Sequence, residues 1–228
     1  MKVLLLADEE VKQLWDYYRP GMLREYNLII SCGDLNRKYL EFLVTMASCP
    51  ILYVRGNHDK FYRENPPEGC ICIEDTVYDY HGLRILGLGG SMRYRPDADN
   101  MYNEKEMEDR IRKISREIRL RNGFDVLVTH APARGYGDLD DLPHRGFDCF
   151  NDLMNKWHPK YMFYGHVHKS YNNRHFEREI VHPSGTRLIN AYQKYEVEIG
   201  DDEYPSVGHT GSFIYDLVMS MKSKKKPY

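Results

Sequence analysis

Six residues with metal-binding side chains sit at regular places in this 228-residue chain: Asp8, Asp34, Asn57, His130, His166 and His168. Each follows a short apolar run: Val3 to Ala7, Leu28 to Cys32, Ile51 to Val54, Val126 to Thr129, and Tyr161 to Tyr164. Runs of this kind, bounded by Gly, Asp, Asn or Pro, are the pattern of buried strands. In open α/β sheets ligands bind outside the carboxyl ends of the strands, so motifs scattered in sequence can meet at one edge. Gly33, Gly56 and Gly165, which precede the ligand positions, would let the chain turn sharply there.

Carboxylate, amide oxygen and imidazole together suit Mn, Fe or Zn better than an all-oxygen Mg or Ca site. One tetrahedral ion cannot use all six groups. Two divalent ions about 3.5–4 Å apart can, with Asp34 as bridging carboxylate and a bridging hydroxide attacking phosphorus in line.

The elements that must position these residues are legible in outline. Val11, Leu14 and Tyr18 form one helical stripe, and Leu40, Leu43 and Ala47 another that Asn36 caps and Pro50 ends. Met107, Ile111, Ile114 and Ile118 predict a helix over 104–121, stopped by Gly123. Its charged face, Arg110, Arg112, Lys113, Arg116 and Arg119, reads as solvated, with Glu106, Glu108 and Asp109 placed for local ion pairs. A fourth helix is expected over Phe147 to Trp157. Strands follow at Tyr171 to Phe176, Glu179 to His182, Arg187 to Ala191 and Ser212 to Tyr215.

Length favours one α/β or α+β domain over residues 1–220, with 221–228 a frayed basic tail. With 34 acidic and 32 basic residues the chain has no field of the kind that binds duplex nucleic acid. The opening apolar run is too short for a signal peptide, and no stretch is long enough to span a bilayer. A cytoplasmic protein with no membrane partner is expected, its oligomeric state open. Cys32, Cys49, Cys70, Cys72 and Cys149 fit reduced, mostly buried thiols.

Asp8, Gly33-Asp34, Gly56-Asn57-His58-Asp59, Thr129-His130 and Gly165-His166-Val167-His168 resemble the five ordered motifs of calcineurin-like metallophosphoesterases. The stretch from His130 to His166 is similar to the small phosphodiesterase branch that includes the brain metallophosphoesterase-domain proteins. The resemblance implies a four-layer α/β/β/α sandwich of two facing mixed sheets with the metals at one edge. It implies a first metal on Asp8, Asp34 and His168, and a second on Asp34, Asn57, His130 and His166. His58, paired with Asp59, would face the leaving group. The family's first motif is Asp-x-His, whereas this chain reads Asp8-Glu9-Glu10. Glu10 either binds the first metal through oxygen, favouring manganese, or is an acid in the first turn of the following helix.

Asn57, His58 and Arg93 are candidates for holding substrate; Arg93 follows a glycine-rich segment and is suited to clamp phosphate. Arg134, Tyr136 and His144 lie where the family places substrate-facing loops. The expected activity is hydrolysis of a phosphodiester, with a nucleotide among the possible substrates. A phosphomonoesterase or phosphoprotein phosphatase is the nearest alternative. A non-catalytic interaction module on the same fold, as in the retromer subunit, is the alternative from another class, and Glu10 is its sequence support.

Overall fold

The computed structural model describes residues 1–96, 98–169 and 176–223. In chain order its strands are β1 (Lys2–Ala7), β2 (Leu28–Ser31), β3 (Ile51–Tyr53), β4 (Ile71–Cys72), β5 (Thr76–Tyr80), β6 (Leu83–Leu88), β7 (Ser91–Met92), β8 (Met101–Tyr102), β9 (Val126–Thr129), β10 (Tyr161–Tyr164), β11 (Glu179–Val181), β12 (Arg187–Asn190) and β13 (Gln193–Glu198). The helices are α1 (Arg37–Met46), α2 (Glu104–Leu120), α3 (Asp148–Trp157) and α4 (Phe213–Ser223).

One sheet runs β13-β1-β2-β3-β4 and the other β11-β12-β10-β9-β6-β5. The central pairs β1–β2, β2–β3, β6–β9, β9–β10 and β10–β12 are parallel, while β13, β11 and β5 pair antiparallel. Both sheets are therefore mixed, and their central strands present their carboxyl ends together.

Period-two alternation builds the layers. Val3, Leu5 and Ala7 point between the sheets and meet Ile30, Leu52, Ile85, Val128 and Phe163. Leu4 and Leu6 point outward to Leu40 and Leu43 of α1. Leu127 and Met162 point outward from the second sheet to Met107, Ile114 and Phe150 of α2 and α3. The result is the expected α/β/β/α sandwich. Burying a side chain such as Phe163 is worth about 1.5–3 kcal/mol relative to exposure.

Local signals hold where short-range hydrogen bonds decide them. The Asn36 side chain accepts from the Lys38 amide and starts α1. Asn103 and Glu106 form a reciprocal capping box at α2. Gly123, at φ 100°, donates its amide to Ile118 O and closes α2.

Elsewhere packing overrides pattern. The Val11/Leu14/Tyr18 stripe forms only a 3-10 turn at Lys12–Leu14, because Trp15 stacks on Tyr39 at 5.1 Å and Tyr18 meets Phe42 edge-on, each docking separately on α1. Arg110 is not on a solvated face: it is buried, pairs with Asp75 at 2.9 Å and donates to Gly89 O. The strand expected at Ser212 to Tyr215 is the start of α4, where the Asp216 side chain accepts the Thr210 and Gly211 amides. The strand expected at Tyr171 to Phe176 falls mainly outside the described residues. All five cysteines are free thiols, but only Cys32 and Cys149 are buried.

Candidate metal centre

Five parallel strands deliver the ligand residues to one edge. Asp8 follows β1, Asp34 follows β2, Asn57 follows β3, His130 follows β9, and His166 and His168 follow β10. Asp8, Asp34 and His166 adopt left-handed backbone, at φ 70°, 57° and 68°. Each such residue costs on the order of 1–3 kcal/mol, and the surrounding sheet must hold it in place.

The glycines act by two routes. Gly33 turns at φ 98°, as its sequence position predicts. Gly56 and Gly165 have no positive φ; they are required by close approach instead. A Cβ on Gly56 would lie 2.0 Å from Asp34 Oδ1, and one on Gly165 would lie 2.9 Å from Asp8 Oδ2.

At the dense half of the site, His130 Nε2 lies 3.0 Å from Asn57 Oδ1, 3.2 Å from Asp34 Oδ2 and 3.1 Å from His166 Nδ1. A ring nitrogen carries at most one hydrogen, so three lone pairs crowd round one proton. The other ring nitrogens are committed: His130 Nδ1 donates to Cys32 O at 2.8 Å and His166 Nε2 to Pro143 O at 2.7 Å. These bonds leave His130 Nε2 and His166 Nδ1 as the ligating atoms. With Asp34 they all lie within 4.8 Å of one another, a donor set that fits a divalent transition ion.

The charges respond to this crowding. Burial would raise the Asp34 carboxyl, but the charge and hydrogen bond of His130 outweigh it and hold it at about 2. Burial would lower His130, but Asp34 beside it pushes it up to about 9. His166 is pushed down to about 3 by burial and by the neighbouring His130 charge. One proton thus serves the cluster, and a cation can take its place.

The other half is sparser. The Asp8 side chain is buried, accepts the His166 amide at 2.9 and 3.1 Å, and stands 3.4 Å from His168 Nε2. His168 stacks on Tyr192 with centroids 4.9 Å apart. A cavity of about 400 Å³ opens over both halves, lined by Asp8, Asp34, Asn57, His58, Tyr94, Pro143, His144, His166 and His168.

A family model for calcineurin-like phosphoesterases matches residues 7–170, which contain every one of these residues. The chain belongs to the calcineurin-like phosphoesterase family. Metal-dependent hydrolysis of phosphoesters is the chemistry of that family, and its members generally hold two divalent metals. The chain is 25% identical to an uncharacterized protein of Haemophilus influenzae over 227 residues, 82% of this chain and 94% of that one. It is 29% identical over 103 residues to a UPF0046 protein of Caenorhabditis elegans, a match covering 44% of this chain and about a quarter (24%) of the worm protein's length. Among solved structures it shares the fold of TT1561 from Thermus thermophilus (TM-score 0.52, 12% identity, 84% of this chain and 89% of that one).

The fold brings Asp8, Asp34, Asn57, His130, His166 and His168 to one edge, with His58 at the cavity wall. Glu10 departs from both readings: its carboxylate turns away and accepts the Asn36 amide at 3.1 Å, closing the loop after β2. Asp59 is not oriented toward the His58 ring. Its Oδ2 accepts the amides of Asp34 and Gly56 at 2.9 and 2.8 Å, locking the two ligand loops together. Burial and the Asp34 charge push Asp59 up to about 7. Arg93 also points away, held by Glu106 at 2.8 Å and by Met101 O at 3.0 Å. Tyr94, the next residue, takes the place in the cavity wall that Arg93 was expected to hold. Its position carried no sequence signal, since the turn after β7 sets which of the two faces inward. Of the three residues after His130, His144 lines the cavity, while Arg134 pairs with Asp138 and Tyr136 packs on His182.

Proposed function

We propose that this chain is a manganese-dependent phosphodiesterase. The supporting observation is the charge of the cavity wall. Among the described residues lining it none is Arg or Lys, and Arg93 spends its guanidinium on Glu106. A phosphomonoester dianion carries one more charge than a diester and calls for a guanidinium or ammonium clamp beyond the metals. A diester does not. Manganese is favoured by a donor set in which Asp8, Asp34 and Asn57 supply oxygen beside three imidazoles.

When bound, two divalent ions would supply Lewis acidity, activating water and polarising the phosphoryl oxygens. Asp8, Asp34 and His168 would hold one, and Asp34, Asn57, His130 and His166 the other. The chain's own groups do the rest. Asp59 fixes the Asp34 and Gly56 amides, and His58 donates its amide to Asp34 Oδ1 at 2.7 Å, so its side chain projects over the cavity. His58 is exposed, with Nε2 4.0 Å from Asp34 Oδ2, in position to pass a proton to a departing alkoxide. Tyr94 lines the cavity and would place an aromatic ring near the leaving group, which suits a nucleoside.

Manganese-loaded protein assayed on bis(p-nitrophenyl) phosphate and on p-nitrophenyl phosphate tests the reading. The diester is expected to show kcat/KM higher by at least about tenfold, or 1.4 kcal/mol of transition-state discrimination. Equal or faster turnover of the monoester would make the chain a phosphomonoesterase.

A further inference from the structure

Helix α4 carries its apolar residues on the wrong side for a helix that simply packs on a core. Phe213 is 83% and Ile214 63% exposed, and Leu217, Val218 and Met221 are exposed as well. At about 100° per residue these five fall within an arc of about 140°. The opposite side holds the helix to the protein. Tyr215 is buried, donates to Asp79 Oδ2 at 2.6 Å and packs under the Arg121 guanidinium, and Ser212 donates to Leu120 O. The helix is thus anchored, with a continuous apolar face left outward.

The charge that follows this face in the sequence is basic. The acid within α4, Asp216, is turned onto the Thr210 and Gly211 amides. In sequence Lys222, Lys224, Lys225 and Lys226 follow Met221 with no acid among them. An outward apolar arc followed in sequence by a cluster of lysines is the pattern of a helix lying in a lipid interface, its apolar side in the acyl boundary and its cations on anionic headgroups. No described helix is long and apolar enough to cross a membrane, and α4, at 11 residues, lies flat in such an arrangement.

From the exposed arc and the lysines that follow it in sequence we infer that α4 docks this protein on an anionic phospholipid surface. The geometry keeps the catalytic cavity clear. α4 is tied to Leu120 and Asn122, just before β9, and to Asp79 beside the turn into β6. Those are the amino ends of β6 and β9, whereas His130 follows the carboxyl end of β9. Docking through α4 leaves the cavity at the far edge of the sheets, open to soluble substrate. The sequence expectation of no membrane partner rested on a search for spanning segments, which an interfacial helix escapes.

Co-sedimentation of the full chain with vesicles tests this, using phosphatidylcholine alone and phosphatidylcholine containing phosphatidylserine. Binding is expected on the anionic vesicles, weakened by more than about tenfold in high salt or with Lys224→Gln, Lys225→Gln and Lys226→Gln combined. It should be lost with Leu217→Glu and Val218→Glu together. Both residues are exposed, so the melting temperature and the hydrolysis of a soluble diester should be unchanged in that variant. Equal binding to both vesicle types, binding that survives the glutamates, or none to anionic vesicles would overturn the inference. So would light scattering that shows a dimer which the glutamates dissociate, because a second copy would then cover the face.

Discussion

The two edges of the sheets both bury charge, and they treat it in opposite ways. At the amino edge Arg84 and Asp125 satisfy each other: the guanidinium donates to both carboxylate oxygens at 2.6 and 2.9 Å and to the carbonyls of Arg121 and Asn122, and Asp125 also accepts the Arg84 amide. At the carboxyl edge His130 Nε2 faces the acceptors Asn57 Oδ1 and Asp34 Oδ2 and the lone pair of His166 Nδ1. Three residues there hold left-handed backbone. A closed network stabilises the fold, whereas an open one is left for a ligand to complete.

The largest effect that would break this comparison is loss of the shared carboxylate. Asp34→Asn should reduce diester turnover by more than about 10³-fold, beyond the usual cost of one electrostatic contact, because in the proposed arrangement Asp34 would serve both metal positions. Added manganese should stabilise the wild type by about 2.7 kcal/mol at one hundred times its dissociation constant. The variant should lose that thermal shift. An Asp34→Asn protein that keeps near-normal turnover and the shift would show that the open network does not hold the ions.

His58→Ala should slow alkyl phosphodiesters by about 10²–10⁴-fold, the worth of a positioned general acid. p-Nitrophenyl diesters, whose leaving group departs without a proton, should slow much less. Both metals should remain bound by elemental analysis. Equal losses on both substrate classes would assign His58 to charge stabilisation instead.

At the amino edge the same kind of change should act on stability alone. Asp125→Ala leaves Arg84 buried and unpaired, and should cost about 3–5 kcal/mol in urea unfolding. The kcat of the folded fraction should stay at the wild-type value. A fall in kcat with little change in stability would erase the distinction between the edges.

The smallest expected effect concerns Glu10, which lies beside the open network without joining it. Glu10→Ala should cost about 0.5–1 kcal/mol through the lost bond to the Asn36 amide. Manganese stoichiometry should not change. Loss of one bound ion per chain would return Glu10 to the first metal's coordination sphere.

Much of this was legible because it is local. An apolar run names a buried strand, a side-chain oxygen before a helical stripe names its cap, and Asn36 and Gly123 do what their positions predict. Asp8, Asp34, Asn57, His130, His166 and His168 were legible because the residue after a parallel strand's carboxyl end reaches the same edge in every unit of such a sheet. Arg93, Arg110 and Asp59 were not, because a long or charged side chain settles on whichever partner the packed structure brings near. Those partners, Glu106, Asp75 and the Asp34 and Gly56 amides, lie 13, 35, 25 and 3 residues away.

By itself the sequence determined which residues end the strands and what chemistry they carry, since strand and turn propensities act within a few residues. Only the tertiary structure decided where side chains point. It turned Glu10 to Asn36 and Arg93 to Glu106, put Tyr94 in the cavity wall, and left the apolar arc of α4 outward. Direction depends on the partner across the fold, and no short stretch of chain specifies that partner.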